Sequence, residues 1–547
     1  MNLHWKPSPW HQQLEALSEA DPSLLQGICR GIEKESLRVG DDGLLAQTPH
    51  PAALGSALTH GSITTDYSES LLEFISPVSA SIDDTLTTLE NIHSFVSREI
   101  GRERLWSASM PCIVAGDAAI PVARYGDSNV GRMKTVYRYG LGNRYGRLMQ
   151  AIAGVHYNFS MPESYWPLAR EADGSEEPLQ DYVTRRYLGL IRNFHRWSWL
   201  LIYLFGASPA VCASFMRGRS DHPLVPFDAE GNSLHLPYAT ALRMGDLGYS
   251  SVAQKSLKVC YNSLDNYLAT LSDAILTAHP PYAAFNGKRD VDGEYMQLNH
   301  SLLQIENEFY STIRPKRPGE SNETPLTALR CRGIEYVEVR CLDVSPFHPL
   351  GIDAEQIRFL DAFLLHCLTQ PGDACDEEQH DRQAHNVREV VNRGREPGLK
   401  LRADDGERPL DQWAQELLDA MGSSAALLDG AHGVDAYASA LGAQREKVAG
   451  TAELPSARVL REMREQQIPY YRFALNYSNL WAAHFKDWPL SAGAEEGLRA
   501  ESAASLQRQR DVEASDTLGF EEYINAYYEQ YKHLEPDLAG DGHSGAL

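Results

Sequence analysis

The chain reads as an α+β protein, an antiparallel sheet with flanking helices followed by a helical C-terminal section. Three observations predict this. The stretches 31–39, 63–67, 71–75, 155–160 and 334–340 read as strands, 63–67 and 71–75 being β-rich and 155–160 and 334–340 alternating apolar with polar residues, the period of a half-buried strand. Between them lie stretches with helical spacing, such as Ile82, Leu86, Leu89, Ile92, Phe95 and Val96. After about residue 370 the strand signals stop, and Ala, Glu, Gln and Arg dominate helices punctuated by Gly and Pro. The expected division is therefore 1–370, a mixed domain that carries the chemistry, and 371–547, a mainly helical section whose last residues, 540–547, are disordered.

Taken in order, residues 1–25 form a short amphipathic helix leading into the strand Gly31-Ile-Glu-Lys-Glu-Ser-Leu-Arg-Val39. Glu33 and Glu35 fall on one face of it, with Cα atoms roughly 6.6 Å apart. At about 6 Å and an effective dielectric near 20, two such charges repel by roughly 3 kcal/mol. An open, wet face screens this; an enclosed one requires a cation. Asp41-Asp42-Gly43 is a turn. Strands follow at 63–67 and 71–75, then a helix over 82–101 with Ser81 as N-cap and Asp83 and Asp84 in its first turn.

Residues 116–147 read as a long loop. In the strand 155–160, His156, Asn158 and Ser160 share a face, and 181–205 is helical. Strand-like pieces come at 302–308 and 334–340; in the second, Tyr336, Glu338 and Arg340 share a face. Helices are expected at 409–421, 436–448, 456–467 and 497–514, and no internal repeat is present.

The formal net charge of −24 over 547 residues argues against non-specific binding to nucleic acid or anionic membranes. An anionic small substrate would need a local patch of opposite sign. The most apolar run, 197–205, is too short to span a bilayer. The N-terminus has no basic segment followed by an apolar one, so a cytoplasmic protein is expected. Eight cysteines without a C-x-x-C pair read as free thiols rather than a zinc site or disulfide framework.

Two constellations could carry chemistry. Glu33, Glu35, Asp66, Glu73 and Glu338 are each embedded among apolar or β-branched neighbours, and His156 sits in its strand the same way. Either these are the wet faces of ordinary strands, or they line one cavity and hold hard divalent ions. Between 124 and 147, six basic residues (Arg124, Arg132, Lys134, Arg138, Arg144, Arg147) face one acid, Asp127, among glycines. With Arg314-Pro-Lys316-Arg317 they suit an anion or form a solvated loop. Gly126 to Lys134 lacks the Gly-Lys-Ser/Thr end of a P-loop, and Gly140 to Gly146 is one residue off the dinucleotide pattern.

The strings GIEKESLRV, ALTHGSITTDYSESLLEFISPV, VYRYGLGNRYG, GVHYNFS, YLFGASPA, YATALRMGDLGY, LQIENEFYSTIRPKR and GIEYVEVRCLDVSPF closely resemble the glutamate–cysteine ligases of the proteobacterial type, over about residues 25–355. The resemblance implies a glutamine-synthetase-like active site on an antiparallel sheet. It implies ATP as co-substrate and two to three Mg²⁺ or Mn²⁺ ions held by Glu33, Glu35, Asp66, Glu73, His156 and Glu338. Arg340 would face the ATP phosphates, and Arg138 and Arg243 the phosphates or the glutamate carboxylates. Tyr67, Tyr137, Leu141, Ile152, Tyr249, Asn307 and Tyr310 would form the cysteine pocket. The implied reaction makes γ-glutamylcysteine from glutamate, cysteine and ATP, in a monomer with small-molecule partners and neither nucleic acid nor membrane. Rivals are a related ligase with another amine acceptor, a guanidino kinase, or a non-catalytic metal- or nucleotide-binding protein.

Overall fold

Strand-forming segments of the sequence pair into one seven-stranded sheet. The structure, a computed structural model, describes residues 8–111, 113–219, 221–248, 254, 257–285, 287 and 293–534. The strands are β1 (Cys29–Val39), β2 (Ile63–Thr65), β3 (Leu71–Ile75), β4 (Arg104–Leu105), β5 (Val155–Ser160), β6 (Ile313–Lys316) and β7 (Tyr336–Leu342). Their order is β2-β3-β1-β5-β7-β6, with β4 pairing the end of β1, and every neighbouring pair is antiparallel.

The helices that matter for the site are α1 (Ile82–Glu99), α2 (Asn129–Tyr145), α3 (Leu179–Trp197), α4 (Ala354–Thr369) and α5 (Phe520–Lys532). Helices α1 and α3 pack on one face of the sheet, burying Ile32, Leu72, Phe74, Val155, Tyr157, Phe159, Val337 and Val339. Buried polar groups tie this face down. Arg30 donates to Asp361 of α4 at 3.1 Å, and Tyr157 donates to the same carboxylate. Lys34 is also on this face, its Nζ 2.7 Å from Ser36 Oγ and 3.1 Å from His93 Nε2. Burial without a carboxylate partner lowers its pKa to about 7. The other face opens into a cleft roofed by α2.

The α+β class holds, and so do the helices beyond residue 370, which run Glu377–Arg393, Leu410–Ala420, Gly422–His432, Ala436–Val448, Pro455–Gln466, Tyr470–Asp487, Ala492–Ser515 and α5. Several local expectations do not. Residues 129–145, expected as loop, are helix α2, with Ser128 Oγ accepting from Gly131 N at 3.2 Å as its N-cap. A helical glycine costs about 1 kcal/mol against alanine, yet Gly142 admits a close approach: a Cβ there would stand 2.4 Å from Tyr67 Oη. Tertiary packing overrides propensity.

Residues 302–308 contain no strand, only the turn Glu306–Glu308. Their backbone bonds to side chains instead: Gln304 N donates to Glu308 Oε2 at 2.7 Å, and Gln304 O accepts from Tyr528 Oη at 2.7 Å. A short hairpin, Lys400–Ala403 with Gly406–Pro409, interrupts the helical section. The expected helix over 181–205 is two, α3 and Trp199–Phe205. The expected disorder of 540–547 lies outside the described residues, as does Tyr249. Among the described residues no disulfide forms, and no helix is long and apolar enough to cross a membrane.

Candidate active site

In an antiparallel sheet, directly opposed residues share a face. The register sets Glu33 opposite His156, Glu35 opposite Glu73, and Glu338 opposite both Asn158 and Arg314. All of these side chains therefore leave the sheet on the side away from α1 and α3. His156 Nδ1 lies 3.3 Å from Glu33 Oε2 and 3.6 Å from Glu338 Oε1, and its Nε2 is 3.7 Å from Glu35 Oε1. Ligand atoms of Glu33, Glu73 and His156 all fall within 4.8 Å of one another. The strand spacing that made Glu33 and Glu35 ambiguous is resolved in favour of one enclosed face.

Between Val339 and Leu342 the pairing of β7 with β5 slips by one residue. Such a bulge re-aims the side chains it carries. Arg340 thereby reaches across to the cluster, with Nη1 3.0 Å from Glu338 Oε1 and 3.4 Å from His156 Nδ1.

The electrostatics follow from burial and company. Burial, then Glu33, Asp66 and Glu35, push the Glu73 carboxyl well above its ordinary value. Burial raises Glu35 as well, with His156 opposing. Burial also acts upward on Glu338, but Lys316 and Arg340 outweigh it and hold that carboxylate well below its usual range. Burial and Glu338 push Glu33 up, and the His156 hydrogen bond with Lys316 reverses them. The face thus keeps some carboxylates charged through fixed cations and leaves others with an unmet demand for one.

These residues line a cleft of about 630 Å³. Of the residues expected at the site, Arg340, Arg243, Arg138, Tyr67, Tyr137, Leu141, Ile152, Asn307, Tyr310, Glu33, Glu35, Asp66, Glu73, His156 and Glu338 all face it. Tyr249 is outside the described residues. Asp66 lines the cleft beside the group of Glu33, Glu73 and His156 without belonging to it. Arg138 is held by its own helix, Nη1 donating to Lys134 O at 2.9 Å, and its guanidinium lies 4.5 Å from the Tyr125 ring centre. Arg243 is buried and donates from Nη2 to Arg340 O at 3.0 Å.

The basic run 124–147 divides. Lys134 and Arg138 enter the cleft, whereas Arg132 pairs with Glu294 at 2.8 Å and Arg144 with Glu308 at 3.0 Å, the latter pair fully buried. Arg124 and Arg147 do not line the cleft. Of the second run, Arg314 and Lys316 line it, and Arg317 pairs with Glu335 at 3.3 Å. Lys134, Arg314 and Lys316 stand out in the sequence as candidates for binding an anion, but nothing local places them here. Gln150, Asn322, Tyr523 and Tyr527 also face the cleft, and no motif or spacing in the sequence marks them.

The residues fit a divalent cation. Every donor but one imidazole is a carboxylate oxygen, the preference of hard ions. Two buried oxygens on this face, Glu338 Oε2 and Asn158 Oδ1, accept no hydrogen bond; Lys316 Nζ stands 3.2 Å from the first as an ion-pair partner only. Buried polar atoms left this way are costly unless something else satisfies them.

Comparison with known proteins gives the class first. The fold matches a crystal structure of a glutamate–cysteine ligase from Francisella tularensis in complex with AMP. Its TM-score is 0.86 at 36% identity, over 93% of this chain and 99% of that one. The fold is thus that of an amino-acid ligase. A glutamate–cysteine ligase of Alcanivorax borkumensis is 49% identical over 94% of this chain and 99% of its own length, and one of Pseudomonas paraeruginosa 51% identical over 93% and 95%. The family model for glutamate-cysteine ligase matches residues 14–390. The chain belongs to the glutamate–cysteine ligase family.

Proposed function

We propose that the protein joins the γ-carboxylate of L-glutamate to the amine of L-cysteine, converting ATP to ADP and phosphate. The observation that carries this reading is the convergence of Glu33, Glu73 and His156 beside Arg340 in one cleft on a chain of this family. The glutamate γ-carboxylate attacks the γ-phosphorus of ATP, ADP leaves, and γ-glutamyl phosphate forms. The cysteine nitrogen then attacks the acyl carbon and phosphate departs with the carbonyl restored.

Glu33, Glu35, Asp66, Glu73, His156 and Glu338 would hold two to three divalent ions, Mg²⁺ or Mn²⁺, which supply positive charge to the triphosphate. The chain's own cations act beside them. Arg340 is aimed by the bulge and anchored on Glu338, so its guanidinium is fixed before the phosphoryl group moves. Arg138 and Lys134 project from the roof helix opposite the sheet. Burial and Arg138 lower the Lys134 pKa to about 8, so a phosphate arriving near it raises its charged fraction at neutral pH. Tyr67, Tyr137, Leu141, Ile152, Asn307 and Tyr310 form the acceptor pocket, whose apolar walls exclude the water that would hydrolyse an acyl phosphate.

Arg243 depends on the absence of a side chain at Gly154: a Cβ there would sit 2.0 Å from its Nη2. Gly154→Ala is expected to displace the guanidinium and lower kcat/KM for glutamate by about 10²-fold, the cost of a misplacement near 1 Å, while far-ultraviolet circular dichroism stays unchanged. Unaltered kinetics would remove Arg243 from the site.

In this reading the partners are small molecules and the enzyme is a cytoplasmic monomer. Residues 1–370 supply the carboxylate face and its cations, and the mainly helical section 371–547 adds Tyr523 and Tyr527 to the cleft. The test is ADP release by the purified chain with Mg²⁺ and ATP. It should require glutamate and cysteine together; equal release with other amines in place of cysteine would point to another ligase, and binding of Mg–ATP without turnover to a non-catalytic protein.

A further inference from the structure

One end of the cleft is built by a part of the chain remote from the catalytic sheet. Tyr523 and Tyr527 of α5 line it, each 8% exposed. The helix is fixed to the segments that flank the cleft: Tyr531 donates to Glu306, Tyr528 donates to Gln304 O at 2.7 Å, and Gln530 accepts from Thr324 N at 3.0 Å while donating to Asn322 O at 2.9 Å. Tyr523 Oη donates to Asn322 Oδ1 at 3.2 Å. Val130, Met133 and Pro325 line the same cleft. Strand β6, with Arg314 and Lys316 facing the cleft, leads directly into the 318–325 segment that carries Asn322 and Pro325.

We infer that Tyr523 and Tyr527 of the C-terminal helix form the wall against which the purine base of ATP stacks. This rests on the proposed ATP-dependent ligation. Charge decides which ligand group belongs there. The acid at this end, Glu323, is matched by Arg332 at 3.1 and 2.5 Å, and Lys316 is paired with Glu338. An amino acid, carrying both charges, needs a cation and an acceptor, as the buried Arg243 and the carboxylate face provide elsewhere in the cleft. Aromatic rings with aliphatic neighbours and one amide suit instead an uncharged, flat heterocycle. The triphosphate then runs from this wall past Arg314 and Lys316 toward Arg340.

The test uses the full-length chain with Tyr527→Ala, Tyr523→Ala and Tyr527→Phe. Removing one stacked ring is worth roughly 5- to 150-fold, so Tyr527→Ala should raise KM for ATP on the order of 10-fold. The KM values for glutamate and cysteine, and kcat at saturating ATP, should change less than about twofold. Inorganic triphosphate, which has the phosphates without a base, should inhibit variant and parent equally. Tyr527→Phe should restore the ATP value. If Tyr527→Ala does not fold, Tyr523→Ala is read by the same ratios. An unchanged KM for ATP, or equal weakening of ATP and triphosphate, overturns the assignment. Calorimetric binding of ATP and triphosphate without amino acids gives the same comparison if the parent chain fails to ligate, so the two failures are separable.

Discussion

Glu33→Gln leaves the protein folded, yet removes nearly all ADP release with glutamate and cysteine. Glu33 is the hub of the carboxylate face. It accepts from Asn158 Nδ2 at 3.0 Å, lies 3.3 Å from His156, and belongs to the group that converges within 4.8 Å. Glutamine keeps the volume and one oxygen while deleting a charge that repels Glu73 and Glu338. It also gives up the His156 hydrogen bond and the attraction of Lys316, which together hold Glu33 in its charged form, so a modest loss of stability with the fold intact is expected. Activity should fall beyond 10²-fold, because even groups that only orient a metal ligand cost roughly 10- to 100-fold. A loss of turnover far larger than the drop in melting temperature marks a functional carboxylate rather than a structural one. Full turnover at saturating Mg²⁺ would refute the ligand assignment.

Arg340→Ala is expected to lower kcat on the order of 10³-fold, in the range found for arginines that face a transferring phosphoryl group. KM for cysteine should change far less than kcat. Arg340→Lys should recover only part of the loss, because a lysine cannot reproduce the planar pair of donors. A variant that turns over normally would move the phosphoryl-transfer site away from the β7 bulge.

Much of this was legible in the sequence because the sheet is simple there. Period-two alternation over 31–39, 155–160 and 334–340 reports which residues share a face, and antiparallel pairing then brings those faces together. What failed involved residues whose reason lies far along the chain. Gly142 reads as a loop residue until Tyr67 is seen against it. Arg144 reads as a free cation until Glu308 is found 3.0 Å away. The apolar spacing of Leu302, Leu303 and Ile305 suggests a strand, but side chains of Glu308 and Tyr528 take its hydrogen bonds. Tyr523, Tyr527 and Tyr531 fall at helical spacing, which ordinarily means core, and for the fully buried Tyr531 it does. Nothing local distinguishes the two that face the cleft.

Strand β1 carries Lys34 between Glu33 and Glu35, pointing the opposite way into the helix-packed layer beside His93. Inserting or deleting one codon upstream within the strand would exchange the two sides: the ammonium would enter the carboxylate-lined cleft, and both acids would be driven toward Phe74 and His93. Surface loops elsewhere can lengthen at small cost, but this stretch tolerates substitutions far better than changes of length. Relatives that drift in sequence should therefore hold the spacing from Glu33 to Glu35 fixed.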